Sequence, residues 1–153
     1  MTDVHSPEIR SKNMRAIRSA DTKPELFIRK SLHAAGLRYR LGGAGLPGRP
    51  DLVFPRRRTV IFVHGCFWHG HSCKYFKLPM TNTEFWLQKI QTNRNRDAAA
   101  TTRLADEGWN VIIVWECAVK TAVARRAEAI GEIIGMLKQC RSNSSHSISE
   151  ISL

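Results

Sequence analysis

Three long segments of this chain carry apolar residues at the spacing of amphipathic helices. A helix that buries one face shows an apolar residue every three or four positions. This pattern predicts helices over residues 22–36, 81–108 and 121–139. Glycine ends the first two segments, which is typical of a helix C-terminus.

The first two of these helices are predicted to begin at capping boxes. Thr22 is followed three residues later by Glu25, and Thr81 is followed three residues later by Glu84. In a capping box the two side chains accept hydrogen bonds from backbone amides that the helix leaves free. We therefore expect each helix to start at its threonine.

Short runs rich in β-branched and aromatic residues lie between the helices. They predict strands over residues 37–41, 52–54, 59–63 and 109–117. A basic turn, "PRRR", joins the second and third runs, which favours a β-hairpin. The last run is mostly apolar, as is typical of a strand covered on both faces. The order of elements predicts an α/β domain in which helices flank one sheet.

The two ends of the chain depart from this pattern. Residues 1–20 include a basic segment without a broad apolar stripe. We interpret it as an arm that grips DNA phosphates, the alternative being a solvated helix. The serine-rich residues 141–153 predict a mobile C-terminal tail. The domain itself is assigned to residues 21–140.

Length and charge narrow the class of protein. The 153 residues suit one domain, and 24 lysines and arginines against 13 acidic residues give a formal net charge of +11. Such an excess favours a polyanionic partner. No apolar run approaches the roughly 20 residues that span a bilayer, and the N-terminus lacks the apolar core of a signal peptide. We expect a cytoplasmic protein. A membrane-surface protein is disfavoured, because no amphipathic segment pairs a clean apolar face with a basic one.

The stretch "HGCFWHGHSC" concentrates ligand-type side chains. Cys66, His71 and Cys73 bring two thiols and one imidazole together, a donor set that suits zinc. Cys117 follows an apolar strand and is a better fourth ligand than Cys140, which lies beside the predicted tail. Four protein ligands indicate a structural zinc site. The alternative is a set of small buried cysteines with a hydrogen-bonded histidine.

Candidate catalytic residues flank the predicted hairpin. Asp51 begins its first strand and could bind Mg²⁺ together with the backbone carbonyl of Val63, with Glu25 in support. His64 and His69 could move protons in phosphodiester hydrolysis. Each histidine could instead be a loop residue bonded to a backbone carbonyl.

Large aromatic residues are interleaved with these candidates. Phe67, Trp68 and Trp86, with Met14 on the arm, could enter a base stack and kink the duplex. Burial in the core is the alternative, and it is our assignment for Trp109 and Trp115. The side chains expected to contact phosphates are basic ones on the arm and on the second helix: Lys12, Arg15, Arg18, Lys89, Arg94 and Arg96.

Five segments of the chain together resemble the very short patch repair DNA mismatch endonucleases. They are "SKNMRAIRSADTKPE", "LPGRPDLVF", "VIFVHGCFWHGHSC", "TEFWLQKIQTNRNRD" and "GWNVIIVWEC". The resemblance implies a restriction-endonuclease-like fold, a variant of the PD-(D/E)xK core with a central mixed sheet flanked by helices. Histidine stands where that core usually has lysine. Threonine is frequent in the family where this chain has Val63.

The resemblance also implies an activity and site residues. Family members nick DNA 5′ to the thymine of a T:G mismatch left by deamination of 5-methylcytosine, in a context set by a partner cytosine methyltransferase. Mismatch-repair proteins are a further functional link. The implied roles, by number in this sequence, are catalysis for Asp51, His64, His69 and Glu25, zinc ligation for Cys66, His71, Cys73 and Cys117, and intercalation for Phe67, Trp68, Trp86 and Met14.

Two rival functions stay open at this point. A restriction-type nuclease of the same fold would cut both strands of matched DNA. A zinc-stabilised DNA-binding module would not cut, although it would have no need of Asp51, His64 and His69 together. Because nicking one strand requires one active site, we expect a monomer.

Overall fold

A five-stranded mixed sheet organises the protein. The computed structural model describes residues 22–43, 45–139 and 147–152. Across the sheet the strands follow chain order: β1 (Arg40–Leu41), β2 (Leu52–Phe54), β3 (Thr59–His64), β4 (Asn110–Trp115) and β5 (Ile148–Ile151). The β1–β2 and β2–β3 pairs are antiparallel, whereas the β3–β4 and β4–β5 pairs are parallel. This mixed α/β architecture confirms the predicted sheet with flanking helices.

Helices cover both faces of this sheet. They are α1 (Lys23–Ala34), α2 (Thr83–Asp106), the single turn α3 (Glu116–Val119) and α4 (Val123–Gln139). The long α2 connects the parallel strands β3 and β4, as a parallel connection requires. All six residues of β4 are buried, as its apolar run predicted.

Alternating side chains on the strands divide the core into two clusters. On one face, Leu52, Ile61 and Ile112 pack with apolar residues of α1 and α4. On the opposite face, Val60 and Val111 pack with α2 and with the loop that follows β3. The period of two residues along each strand therefore supports three layers, with one set of helices on each side of the sheet.

The two predicted capping boxes have different outcomes. Thr22 caps α1, because its side-chain oxygen accepts a hydrogen bond from the Glu25 amide at 3.4 Å. The capping box at Thr81 is wrong. α2 begins at Thr83 after Asn82, which has a left-handed backbone (φ +55°) and makes no side-chain cap. A chain that turns sharply before α2 cannot place Thr81 at the helix end.

Two other segments also differ from expectation. The predicted strand 37–41 is reduced to the two residues of β1. The predicted mobile tail over 141–153 is wrong for residues 148–151, which form β5 and pair with β4. Its buried Ile151 completes the core on the α1 and α4 side. Burial of apolar surface at an open sheet edge outweighs the polar composition of the segment.

Some expectations lie outside the described residues. They concern the arm of residues 1–20, with Lys12, Met14, Arg15 and Arg18, together with Cys140 and the first part of the tail. No helix in the described part of the chain is long and apolar enough to cross a membrane.

Candidate active site and metal centre

A cavity of about 760 Å³ opens at the end of the sheet where β2 begins and β3 ends. Its lining includes all four residues predicted to be catalytic: Glu25, Asp51, His64 and His69. These side chains come from α1, from the two strands of the hairpin and from the following loop. The fold thus brings together residues that lie up to 44 positions apart in the sequence.

Asp51 is fixed by the antiparallel pairing of β2 with β3. Its amide donates to the Ile61 carbonyl at 3.0 Å, and its carboxylate accepts from the Val63 amide at 2.7 Å. The pKa of Asp51 is raised to about 6, chiefly by burial and in smaller part by the charge of Glu25, against the Val63 hydrogen bond and the charge of His69, which lower it. A carboxyl group held in this way retains its proton more readily than an exposed one.

Glu25 lies in the first turn of α1 and is 5% exposed. It forms an ion pair with Arg29 one turn later, with 3.7 Å between Nη1 and Oε1. The Thr22 cap sets the start of α1 and so aims Glu25 at the cavity. The carboxylate acts on Asp51 through its charge, which agrees with a supporting position beside it.

The two predicted catalytic histidines lie face to face. Their ring centroids are 3.9 Å apart, with 3° between the planes. The pKa of His64 is lowered to about 4, chiefly by burial and in smaller part by the charge of His69, while Asp97 opposes the shift. His64 is therefore neutral at physiological pH. Its Nδ1 atom is buried without a hydrogen-bond partner among the described residues.

Asp97 is a cavity residue that the sequence reasoning missed. It projects from α2 and hydrogen-bonds through Oδ2 to Nδ1 of His69. A metal could also be held by this trio, since ligand atoms of His64, His69 and Asp97 lie within 4.8 Å of one another. The sequence signal was an acidic residue next to Arg96, on the helix predicted to carry phosphate-contacting side chains.

The structure brings the four predicted zinc ligands together. Ligand atoms of Cys66, His71, Cys73 and Cys117 lie within 4.8 Å of one another. Cys66 and Cys117 are fully buried, and burial raises the pKa of the Cys66 thiol. Three converging sulfurs without a disulfide and one imidazole form a donor set that fits a soft or borderline cation. These residues could hold a metal ion.

Side chains outside the ligand set brace this metal-binding loop. The Cys66 amide donates to a carboxylate oxygen of Glu116 at 3.1 Å. The His71 amide donates to the Cys66 carbonyl at 2.8 Å, and the His71 ring stacks on Trp115 with centroids 4.3 Å apart. Sequence reasoning did not identify Glu116. The same loop carries His69, so its shape determines where that histidine lies.

The three predicted wedge residues form one aromatic cluster at the surface. Ring centroids of Phe67 and Trp68 are each within 6 Å of Trp86, at 5.3 and 5.8 Å. All three rings are half-buried. The sequence reasoning missed two further members, Phe76 and the 58%-exposed Phe85. Trp109 and Trp115 are buried in the core, which confirms that assignment.

The basic residues predicted on the second helix are exposed along α2. Arg96 lines the cavity of the catalytic residues, whereas Arg94 lies beside the metal-binding loop. Lys89 lies on the exposed surface between these residues and the aromatic cluster. Their spacing along one helix would suit contacts with successive phosphates.

Fold and site together define a class: a small α/β protein in which a half-buried carboxylate and two stacked histidines lie at strand ends, beside a cysteine-rich loop that could bind a metal ion. Residues 2–75 match the family described as "DNA mismatch endonuclease Vsr". The chain is 51% identical over 132 residues to the DNA mismatch endonuclease Vsr of Escherichia coli, covering 86% of this chain and 85% of that protein.

Two nicking enzymes are similar as well. The type II nicking enzyme V.XorIIP of Xanthomonas oryzae is 51% identical over 76% of this chain and 86% of its own length. The type II nicking enzyme V.NmeAIP of Neisseria meningitidis is 43% identical over 90% of this chain and 98% of its own. The chain therefore belongs to the Vsr family of DNA mismatch endonucleases.

Proposed function

We propose that the protein is a DNA mismatch endonuclease that nicks one strand and so initiates very short patch repair. Its substrate is a T:G mismatch from deamination of 5-methylcytosine, and the nick falls 5′ to the thymine. Identity of 51% over 86% of the chain to a mismatch endonuclease carries this proposal. One cavity lined by Glu25, Asp51, His64 and His69 supports it.

The fold we propose is the restriction-endonuclease-like variant of the PD-(D/E)xK core. An antiparallel hairpin next to parallel strands, with Asp51 at the start of β2, supports this assignment. At the lysine position of that core, the chain has Phe62, Val63 and His64 on β3. Histidine takes over a role that lysine has in the related enzymes.

Asp51 and the Val63 carbonyl would hold the catalytic Mg²⁺. In a strand the N–H and C=O of one residue point to the same side, and the Val63 amide points to Asp51. The carbonyl oxygen therefore faces the carboxylate, and two oxygen donors suit a hard cation. Because only the backbone of Val63 is needed, valine serves as well as threonine. When bound, Mg²⁺ polarises the phosphate and acidifies a water molecule.

His69 is the group that we propose to move a proton. Its Nδ1 atom is engaged by Asp97, which leaves Nε2 free to exchange a proton with substrate or water. Asp97 stabilises the imidazolium formed when Nε2 accepts that proton. His64, which is neutral and stacked on His69, supports the ring and limits its rotation.

Replacing Asp97 tests this assignment. We expect Asp97→Asn to lower the single-turnover nicking rate about 10²-fold or more, because the amide cannot stabilise an imidazolium. Binding of mismatched DNA should change little, and Asp97→Glu should restore part of the rate. An Asp97→Asn enzyme that nicks at the wild-type rate would remove Asp97 from the mechanism.

The aromatic cluster is proposed to select the mismatch. Phe67, Trp68 and Trp86, together with Met14 of the arm, would enter the base stack. A mismatched step costs less to unstack than a paired one, so the wedge itself favours the T:G site. The proposed phosphate contacts are basic residues of the arm and of α2: Lys12, Arg15, Arg18, Lys89, Arg94 and Arg96.

The remaining proposals concern the metal-binding loop and the cellular setting. We propose that Cys66, His71, Cys73 and Cys117 hold structural zinc. We propose a monomeric, cytoplasmic protein that works beside a cytosine-5 DNA methyltransferase and mismatch-repair proteins. Nicking needs a single cavity of the kind described, which supports the monomer.

A strand-resolved cleavage assay tests the function. End-labelled duplexes with one T:G pair, and matched T:A and C:G controls, are incubated with Mg²⁺ or EDTA. We expect one Mg²⁺-dependent nick 5′ to the mismatched thymine, and none with Asp51→Ala, which should still bind DNA. Variation of the flanking bases then identifies the methyltransferase's recognition site.

The same assay distinguishes the rival functions. Cuts in both strands of matched DNA would identify a restriction-type nuclease. Tight binding without cleavage in any sequence context would identify a DNA-binding module. Nicking by Asp51→Ala would show that the cavity is not the active site.

A further inference from the structure

Arg49 lies in the loop between β1 and β2, two residues before Asp51, and lines the same cavity. Its backbone is left-handed, with φ +50°. Only Arg49, Arg58 and Asn82 among the described residues other than glycine have positive φ. An arginine has no local reason to adopt this conformation, because its Cβ crowds the backbone there.

Close packing on both sides holds Arg49 in this conformation. A Cβ added at Gly48 would lie 2.7 Å from the Ala100 side chain of α2, and one added at Gly43 would lie 2.6 Å from the Pro50 ring. The loop is therefore pressed against its surroundings before and after the arginine. Strain that is enforced by the surrounding structure is typical of functional sites.

The guanidinium of Arg49 has no acidic partner within the described part of the protein. Its side chain is exposed and makes no hydrogen bond or ion pair there, whereas Arg29 of the same cavity is paired with Glu25. The charges that shift the pKa of Asp51 are those of Glu25 and His69, and not that of Arg49. A guanidinium on a rigid loop at the cavity mouth is thus available to a ligand.

We propose that Arg49 is a catalytic residue whose guanidinium binds a non-bridging oxygen of the phosphodiester that is cleaved. This inference rests on the proposed function of the cavity. A guanidinium presents paired donors that match phosphate oxygens, and it stabilises the negative charge that grows on them in the transition state. The packing of Gly48 and Pro50 holds the Arg49 backbone beside the cavity that this residue lines.

Single-turnover nicking of a T:G duplex at saturating enzyme tests the proposal. We expect Arg49→Gln to lower the rate about 10²-fold, and to weaken DNA binding less than about 10-fold. Arg49→Lys should recover part of the rate, since a lysine retains the charge but not the paired donors. Arg49→Gly, which removes strain and charge together, should fold at least as well and nick as slowly as Arg49→Gln.

Arg58→Gln is the control for loss of charge at a left-handed residue away from the cavity; the Arg58 guanidinium donates to the Glu107 carbonyl at 2.7 Å and lies over the Trp109 ring, so the stability of this variant is measured as well. Arg58 has the same left-handed backbone (φ +48°), but it follows the hairpin turn at the other end of the sheet. The Arg58→Gln variant loses the same charge as Arg49→Gln, and we expect its nicking rate to stay within about twofold of wild type. Asp51→Asn is run alongside, and melting curves confirm that each variant is folded.

The outcomes separate the two proposals. If Asp51→Asn is inactive but both Arg49→Gln and Arg49→Gly nick like Arg58→Gln, Arg49 has no catalytic role. If Arg49→Gln only weakens binding and leaves the saturated rate intact, Arg49 is a general phosphate contact and the proposal is overturned. If Asp51→Asn itself nicks at the wild-type rate, the cavity is not the active site and both proposals fail.

Discussion

At the scale of single residues, Asp51 shows that the site is assembled at a cost in stability. Folding moves its carboxyl group from water into a half-buried position beside Glu25, which raises its pKa to about 6. A group that binds protons more tightly in the folded state stabilises the protein at low pH, and this contribution is lost as the pH rises through 6. At neutral pH the ionised carboxylate opposes folding.

Removing this charge should therefore stabilise the protein while abolishing its activity. In Mg²⁺-free buffer at pH 8 we expect Asp51→Asn to raise the free energy of unfolding by about 1–3 kcal/mol. The amide oxygen can still accept the Val63 hydrogen bond. At pH 4 and below the wild-type carboxyl is itself protonated, so the difference should disappear. Urea denaturation at several pH values measures both effects.

Asp106 offers the control for this measurement. It is an exposed aspartate at the end of α2, and Asp106→Asn should change the free energy of unfolding by about 0.5 kcal/mol or less. A variant at Asp51 that is less stable than wild type at pH 8, or equally shifted at pH 4 and pH 8, would contradict the argument.

Residue types and spacing were sufficient to predict the four cavity residues and the four metal-site residues. Asp51, for example, was predicted because it begins a strand that a short turn links to His64. Asp97 was not predictable, because it meets His69 across 28 positions and only the docking of α2 on the sheet joins them. The availability of Arg49 likewise depends on which neighbours the folded loop acquires.

At the scale of elements, one loop joins the candidate metal site to residues of the cavity and of the aromatic cluster. Residues 66–73 contain three of the metal-site residues, His69, and the aromatic residues Phe67 and Trp68. The Trp68 carbonyl accepts a hydrogen bond from the Asn93 side chain at 2.8 Å, which ties the loop to α2. Hydrogen bonds within the loop, such as the one from the His71 amide to the Cys66 carbonyl, also hold its shape.

Removal of the metal should therefore lower both the stability and the nicking activity of the protein. We expect a strong chelator, or Cys73→Ser, to lower the melting temperature and to abolish nicking even with Mg²⁺ in excess, because structural zinc sites contribute directly to folding. Metal analysis should give about one zinc per wild-type chain and clearly less for Cys73→Ser.

Cys140→Ser is the control, since it removes a thiol that is not one of the four proposed ligands. Its zinc content and melting temperature should equal those of the wild type. A Cys73→Ser protein that is as stable and as zinc-loaded as the wild type would show that the cluster is not a structural zinc site.

Elements also differ in how well their ends could be predicted. The start of α1 was predicted correctly because Thr22 and Glu25 interact within one turn. The start of α2 was not, because the left-handed Asn82 redirects the chain after the metal-binding loop. A local signal determines a helix end only where no packed segment constrains the chain before it.

At the scale of the whole molecule, the sheet connects the site to both halves of the core. The cavity lies at the ends of its strands β2 and β3. One face of the sheet packs on α1 and α4, and the other face packs on α2 and the cysteine-rich loop. The strand β5 pairs with β4 on the side opposite β3. Its composition had predicted a mobile tail instead. Long-range pairing of this kind depends on an open sheet edge that is absent until the rest has folded.

The sequence by itself determined the α/β class, the basic character, the hairpin that carries Asp51 and His64, and the cysteine-rich loop. These properties follow from periodicity and side-chain chemistry over a few neighbouring residues, which local physics decides. Only the tertiary structure decided that Asp97 engages His69, that Arg49 is held at the cavity, and that β5 joins the sheet. Each of these contacts joins distant segments, so its free energy arises from packing that no local pattern encodes.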